Sequence, residues 1–175
     1  MTGMLARWNL LSPAEASRMI LPCCGSTAWA DKMTARRPVG DEATLLAASD
    51  ETWRNLTEAD WMEAFRSHPR IGESGTGEPR LGQSAVGQAS SWSTQEQENV
   101  AGAGGDIKAE LAQANDEYER RFQHIFIVCA TGKSAPEILG ILRRQLSNDS
   151  RTELLEAAEQ QRQITHIRLK KWLSQ

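Results

Sequence analysis

Short polar starts followed by apolar residues at helical spacing recur along this chain. "SPAE" (Ser12 to Glu15) combines a capping serine, a proline at the first helical position and a glutamate at the third. "STQE" (Ser93 to Glu96), "SAPE" (Ser134 to Glu137) and "SRTE" (Ser150 to Glu153) repeat that spacing, and "TEAD" (Thr57 to Asp60) resembles it. In the last segment Leu154, Ala158, Ile164, Ile167 and Trp172 form an apolar stripe at intervals near three and four. "ELAQANDEYERRFQHIFIVCA" begins amphipathic and turns wholly apolar at "IFIVCA". No second β-like run exists to pair with it, so the pattern predicts a helix that finishes in the core and is closed by Gly132. The expected architecture is all-α, one domain over residues 1–175 with about seven or eight helices.

Residues 71–91, "IGESGTGEPRLGQSAVGQASS", have no apolar period and are rich in Gly and Ser. A loop this long inside a compact domain is either functional or an ordinary flexible insertion. It begins just after His68 and ends at an expected helix start, which suits the wall of a site.

Composition narrows the function classes. A chain of 175 residues can bury a sizeable core. A formal net charge of −3 gives no electrostatic case for nucleic acid. No run approaches the roughly 18 apolar residues of a membrane span. The N-terminus lacks the pattern of a signal peptide, and "KWLSQ" is not a peroxisomal address, so the expected compartment is the cytoplasm. The three cysteines, two of them adjacent (Cys23 and Cys24), are a poor disulfide framework and fit small, reduced, buried residues. With His68, His124 and His166 scattered elsewhere, no zinc-ligand spacing is present, and no metal is expected.

Three side chains are candidates for chemistry. In "AFRSHPRIGES" His68 precedes Pro69, where the proline ring disfavours helix, so the imidazole sits at a helix end. A histidine there is either a solvated helix end or a proton donor, since an imidazole's ordinary pKa of about 6.5 suits both directions of transfer. Glu96 is either the third-position partner of its own cap Ser93 or a polar group in a site. Arg168 borders the apolar stripe. Its guanidinium is either a wet head on a buried stem or a fork aimed into a pocket at a carboxylate or urea-like oxygen. "TGKS" (Thr131 to Ser134) is not a phosphate loop, because position 127 is isoleucine rather than glycine.

"WMEAFRSHPRIGE", "SSWSTQEQ", "NDEYERRFQHIFIVCATGKS", "ILRRQLSND" and "ITHIRLKKWL", with "CCGSTAWADKMTARRP" near the N-terminus, together resemble the OHCU decarboxylase family. OHCU is 2-oxo-4-hydroxy-4-carboxy-5-ureidoimidazoline, an intermediate between urate and allantoin. The resemblance covers nearly the whole chain, in order. It implies a carboxy-lyase that forms (S)-allantoin without metal or organic cofactor, as a cytoplasmic homodimer. An excess of apolar helical surface agrees with the dimer. Carried over by motif, the proton donor falls on His68 with Pro69 beside the substrate. The Ser-x-x-Glu-Gln segment falls on Ser93, Thr94, Gln95, Glu96 and Gln97, with Glu96 as catalytic partner. The substrate-contacting main chain falls on Phe126, Ile127, Val128, Cys129 and Ala130, and the last-helix arginine on Arg168. Gln123 departs from the family, which usually has glycine there, and this bears on the packing of that helix turn. The competing reading is a non-catalytic helical module that binds a partner or a purine metabolite, in which His68 has no special role.

Overall fold

The structure of the protein, a computed structural model, describes residues 3–72, Trp92, Gln95, Glu96 and 98–175. Among these every regular element is helical, and eight α-helices have eight or more residues. Packing divides the chain into two compact units, Met1–Ala64 with Arg162–Gln175, and Phe65–Gln161.

The first unit holds α1 (Gly3–Leu10), α2 (Pro13–Ile20), a 3-10 turn (Leu21–Cys23), α3 (Thr27–Ala35), α4 (Glu42–Arg54) and most of α5 (Glu58–Arg66). The local starts behave as their sequences dictate. Ser12 and Glu15 form a reciprocal capping box behind Pro13. Thr57 and Asp60 do the same, with Thr57 N–H donating to Asp60 Oδ2 at 3.0 Å and Asp60 N–H to Thr57 Oγ1 at 3.3 Å. Indoles dominate the core: Trp8, Trp29 and Trp172 are fully buried. Trp8 and Trp172 meet edge to face at 5.9 Å, a geometry that adds about 0.5–1.5 kcal/mol beyond area burial. Arg37 donates to the carbonyls of Trp8 (2.7 Å) and Leu11 (2.8 Å), at and just beyond the end of α1.

The second unit holds α6 (Glu98–Ala101), α7 (Gly105–Phe122) and α8 (Ala135–Gln145), and α9 (Ser150–Leu173) gives its first half to this unit and its second half to the other. Its core joins Ile71, Val100, Leu111, Tyr118, Phe122, Phe126, Val128, Ile138 and Leu142. Ser134 and Glu137 form the expected capping box of α8.

Three expectations are corrected here. The helix expected to run through "IFIVCA" stops at Phe122. Gln123 takes the left-handed conformation (φ 61°), its N–H bonds to Glu119 O, and the chain continues without regular structure through residues 125–130, of which 126–130 are buried. Gly132, at φ 79°, therefore closes a turn after this stretch rather than a helix. An all-apolar run has no period, so its sequence carries no sign that a left-handed residue has ended the ladder of helical hydrogen bonds.

"SRTE" is not a capping box. Asp149 caps α9, accepting from the N–H groups of Arg151 (3.0 Å) and Thr152 (2.9 Å). Glu153 is fully buried instead and accepts from Tyr118 OH (2.5 Å) and Asn148 Nδ2 (2.8 Å). The stripe on α9 is also different. Ala158, Ile164 and Trp172 are buried as the stripe expects, but Leu154 and Ile167 are only half-buried, and a further buried line runs through Glu153, Ala157, Gln161, Thr165, Arg168 and Trp172. Four of those six are polar or charged, which is why an apolar count did not find it. The "STQE" start falls partly on Ser93 and Thr94, outside the described residues, as does most of the expected loop at 71–91.

Candidate active site

His68 lies two residues beyond α5, where its N–H still bonds to Phe65 O at 3.1 Å and Pro69 forbids another turn. The ring is half-buried and Pro69 is exposed. Its Nε2 is 2.7 Å from Oε1 of Gln161, a fully buried glutamine on α9.

The residues after His68 are tied down one by one. Arg70 is ion-paired to Asp116 (3.1 Å) and Glu119 (2.5 Å) on α7. Buried Asn115 donates to Ile71 O at 3.1 Å. Gly72 has φ +84°, a conformation that strains any side chain bearing a Cβ, so the glycine of "HPRIG" is required by the backbone. The order His-Pro-Arg-Ile-Gly thus reads as a helix stop, two tethers and a turn.

Phe126, Ile127, Val128, Cys129 and Ala130 are all buried, at 7% exposure or less. Their backbone is neither helix nor strand, so its amide groups are not consumed by a regular ladder. Cys129 N–H donates to Gln160 Oε1 at 2.9 Å, and Cys129 O accepts from Lys133 Nζ at 2.7 Å. Consecutive glutamines on α9 therefore hold the two expected site pieces: Gln160 the apolar backbone, Gln161 the histidine. Burial pushes the Cys129 thiol above its ordinary pKa; Lys133 opposes that shift, and the negative charge of Glu96 adds to it. Glu96, half-buried, is thereby within electrostatic reach of the same backbone, while Gln95 is exposed. Ser93, Thr94 and Gln97 lie outside the described residues.

Aromatic packing supports the segment from behind. The Tyr118 ring meets Phe126 at 5.4 Å and His124 at 5.5 Å, both edge to face, and Phe65 lies 5.3 Å from His124. Burial holds the His124 imidazole below its ordinary pKa, favouring the neutral ring among these aromatics.

Arg168 belongs to the other unit and is 1% exposed, so the wet-head reading fails. Its charge acts on Cys23 and Cys24, countering the burial that raises both thiols, Cys24 to about 12. Thiols held this way are protonated and unreactive, as expected for reduced, structural cysteines. Among the described residues no group of three or more His, Cys, Asp or Glu side chains is placed to hold a metal ion. No helix among them is long and apolar enough to cross a membrane.

Gln160, Gln161 and Asn115 were absent from the sequence-based candidates. Gln161 lies on the buried, largely polar line of α9, whereas Asn115 is on α7 and Gln160 is half-buried beside that line.

The family model of OHCU decarboxylase matches residues 9–170. The chain belongs to the OHCU decarboxylase family. Within 152 aligned residues it is 32% identical to the uric acid degradation bifunctional protein TTL of Arabidopsis thaliana, covering 87% of this chain and 45% of that relative. The chain thus spans less than half the length of this curated relative. A crystal structure of OHCU decarboxylase in the presence of (S)-allantoin matches with a TM-score of 0.75 at 28% identity, over 90% of this chain and 99% of that one. A crystal structure of (S)-allantoin synthase matches with a TM-score of 0.68 over 96% of this chain and 53% of that one, and at 14% identity it shares the fold alone. Gln123, where the resemblance expects the family's glycine, is the described non-glycine residue with positive φ.

Proposed function

We propose that this chain decarboxylates OHCU to (S)-allantoin and CO2 in urate degradation, with His68 as proton donor. The observation that carries the reading is the pair Gln160–Gln161, which holds the histidine and the buried, non-helical backbone from a single turn of α9. Family membership and the match to a structure described with (S)-allantoin support it.

The chemistry follows from the substrate. Its carboxylate sits on the hydroxyl-bearing carbon, next to a ring C=N bond at the ureido-bearing carbon. When the C–C bond to the carboxylate breaks, CO2 leaves and the electron pair moves into the C=N bond. The resulting ene-amine becomes a ketone at the hydroxyl carbon and takes a proton at the ureido carbon. One proton replaces one CO2, and the face that receives it sets the stereocentre. The substrate contains its own electron sink, so the protein's work is orientation, charge stabilisation and proton delivery.

In this proposal His68 donates the proton beside Pro69, and Glu96 holds the hydroxyl or ureido N–H groups. The main chain of Phe126, Ile127, Val128, Cys129 and Ala130 and the segment Ser93, Thr94, Gln95 and Gln97 contact the substrate. Arg168 grips an oxygen; its support is its motif and its buried charge. No metal or organic cofactor takes part, and the enzyme works as a cytoplasmic homodimer, both on the strength of the resemblance.

The test is to add the protein to freshly generated OHCU and follow circular dichroism at an allantoin band. The expected result is rapid formation of one enantiomer, with His68→Asn slower by about 10² to 10⁴, the usual range for a general acid. Product formed no faster than in buffer, and racemic, would overturn the reading.

A further inference from the structure

Gln161 explains more than the placement of a ring. A buried amide costs free energy unless its polar atoms are bonded, and Gln161, fully buried, directs Oε1 at Nε2 of His68 across 2.7 Å. An amide oxygen only accepts hydrogen bonds. In a neutral imidazole one nitrogen donates while the other carries the lone pair. The contact is favourable only when the hydrogen is on Nε2, which leaves the lone pair of the neutral ring on Nδ1.

We propose that Gln161 is a positioning residue: by accepting from Nε2 it fixes the plane and tautomer of His68, so that Nδ1 is the atom that takes up a proton to form the imidazolium and then gives it to the substrate, the ring returning to its neutral Nε2–H form. The proposal rests on the reading of His68 as proton donor. It accounts for an amide at this position. A carboxylate would also accept from Nε2, but its charge would favour the imidazolium. The amide selects a tautomer without adding that charge. Because Gln160 independently holds Cys129 N–H, changing Gln161 leaves the bond to the apolar backbone in place. Arg66, Arg70 with its partners Asp116 and Glu119, and His124 remain the same in every variant below.

The experiment is imidazole nitrogen NMR on the full chain labelled with 15N, with the His68 signals identified by their loss in His68→Asn. In the wild type the neutral ring should show a protonated nitrogen at Nε2 and a lone-pair nitrogen at Nδ1. Gln161→Met keeps similar volume and removes the acceptor. It should give a mixture of tautomers and lower kcat about tenfold, part of the 10² to 10⁴ a general acid supplies, with KM nearly unchanged. Gln161→Glu keeps an acceptor and adds a charge. It should preserve the Nε2–H tautomer while moving the His68 titration and the pH–rate profile upward together by about one unit, a readout that a packing role does not move. A wild-type ring protonated at Nδ1 overturns the proposal, as does a Met variant with unchanged tautomer and kcat. Full turnover in His68→Asn would instead overturn the proton-donor reading, leaving the wild-type tautomer result standing on its own.

Discussion

Two glutamates separate the functional from the structural at the scale of single residues. Glu96 is half-buried and acts electrostatically on Cys129, in the backbone segment that the proposed function gives to substrate. Glu96→Gln keeps hydrogen-bonding capacity and loses charge, and ionised hydrogen bonds are roughly twice as strong as neutral ones. The expected outcome is a nearly unchanged melting temperature with turnover down about tenfold or more, equivalent to about 1.4 kcal/mol of barrier. A variant that melts early yet turns over normally makes Glu96 a helix cap alone. Glu153 is the converse case. Burial raises its carboxyl pKa above the ordinary 4.5, outweighing the hydrogen bonds from Tyr118 and Asn148 that act to lower it. A carboxyl that binds its proton more tightly folded than unfolded contributes stability below its unfolded pKa and loses that contribution as pH rises through its folded one. At neutral pH its charge therefore opposes folding. Glu153→Gln should gain stability relative to wild type as pH rises from 4 to 7, measured by denaturant midpoints at each pH. A difference independent of pH would show that Glu153 does not titrate in this window.

Element ends show how much of a helix is written locally. The starts of α2, α5 and α8 were legible because a capping box is a four-residue event whose partners are all in the sequence. The end of α7 was not. It depends on Gln123 adopting φ 61°, supported by its own Nε2 donating to Arg120 O at 2.8 Å. A side chain in that conformation costs about 1–2 kcal/mol relative to glycine, and the side-chain bond recovers part of it. Gln123→Gly is thus expected to stabilise the protein by about 1 kcal/mol, raising the melting temperature by roughly 2–4 °C for a chain of this size. A fall in melting temperature would mean that the Gln123–Arg120 bond outweighs the backbone strain. The face of α9 was equally hidden, since Glu153, Gln161, Thr165 and Arg168 are polar residues buried for the bonds and charges they supply.

For the molecule as a whole, the homodimer is an expectation that the resemblance carries. Among the described residues Leu10 and Leu155 are large hydrophobics left exposed. The dimer reading predicts a mass of twice the chain by light scattering at micromolar concentration; a single-chain mass would overturn it. The sequence by itself determined the helical class, the starts of α2, α5 and α8, and the order of motifs that places the chain in its family. It also singled out His68, Glu96 and Arg168, because helix stops, caps and motif order are properties of neighbours along the chain. Tertiary structure decided matters that the local pattern left open. It buried the Arg168 head, ended α7 at a left-handed glutamine, and turned "IFIVCA" from an expected helix into a backbone segment held by Gln160. It also brought Gln161 to His68 across 93 positions of sequence. Burial and hydrogen-bond partnership between residues so far apart are set by packing, and no local pattern encodes them.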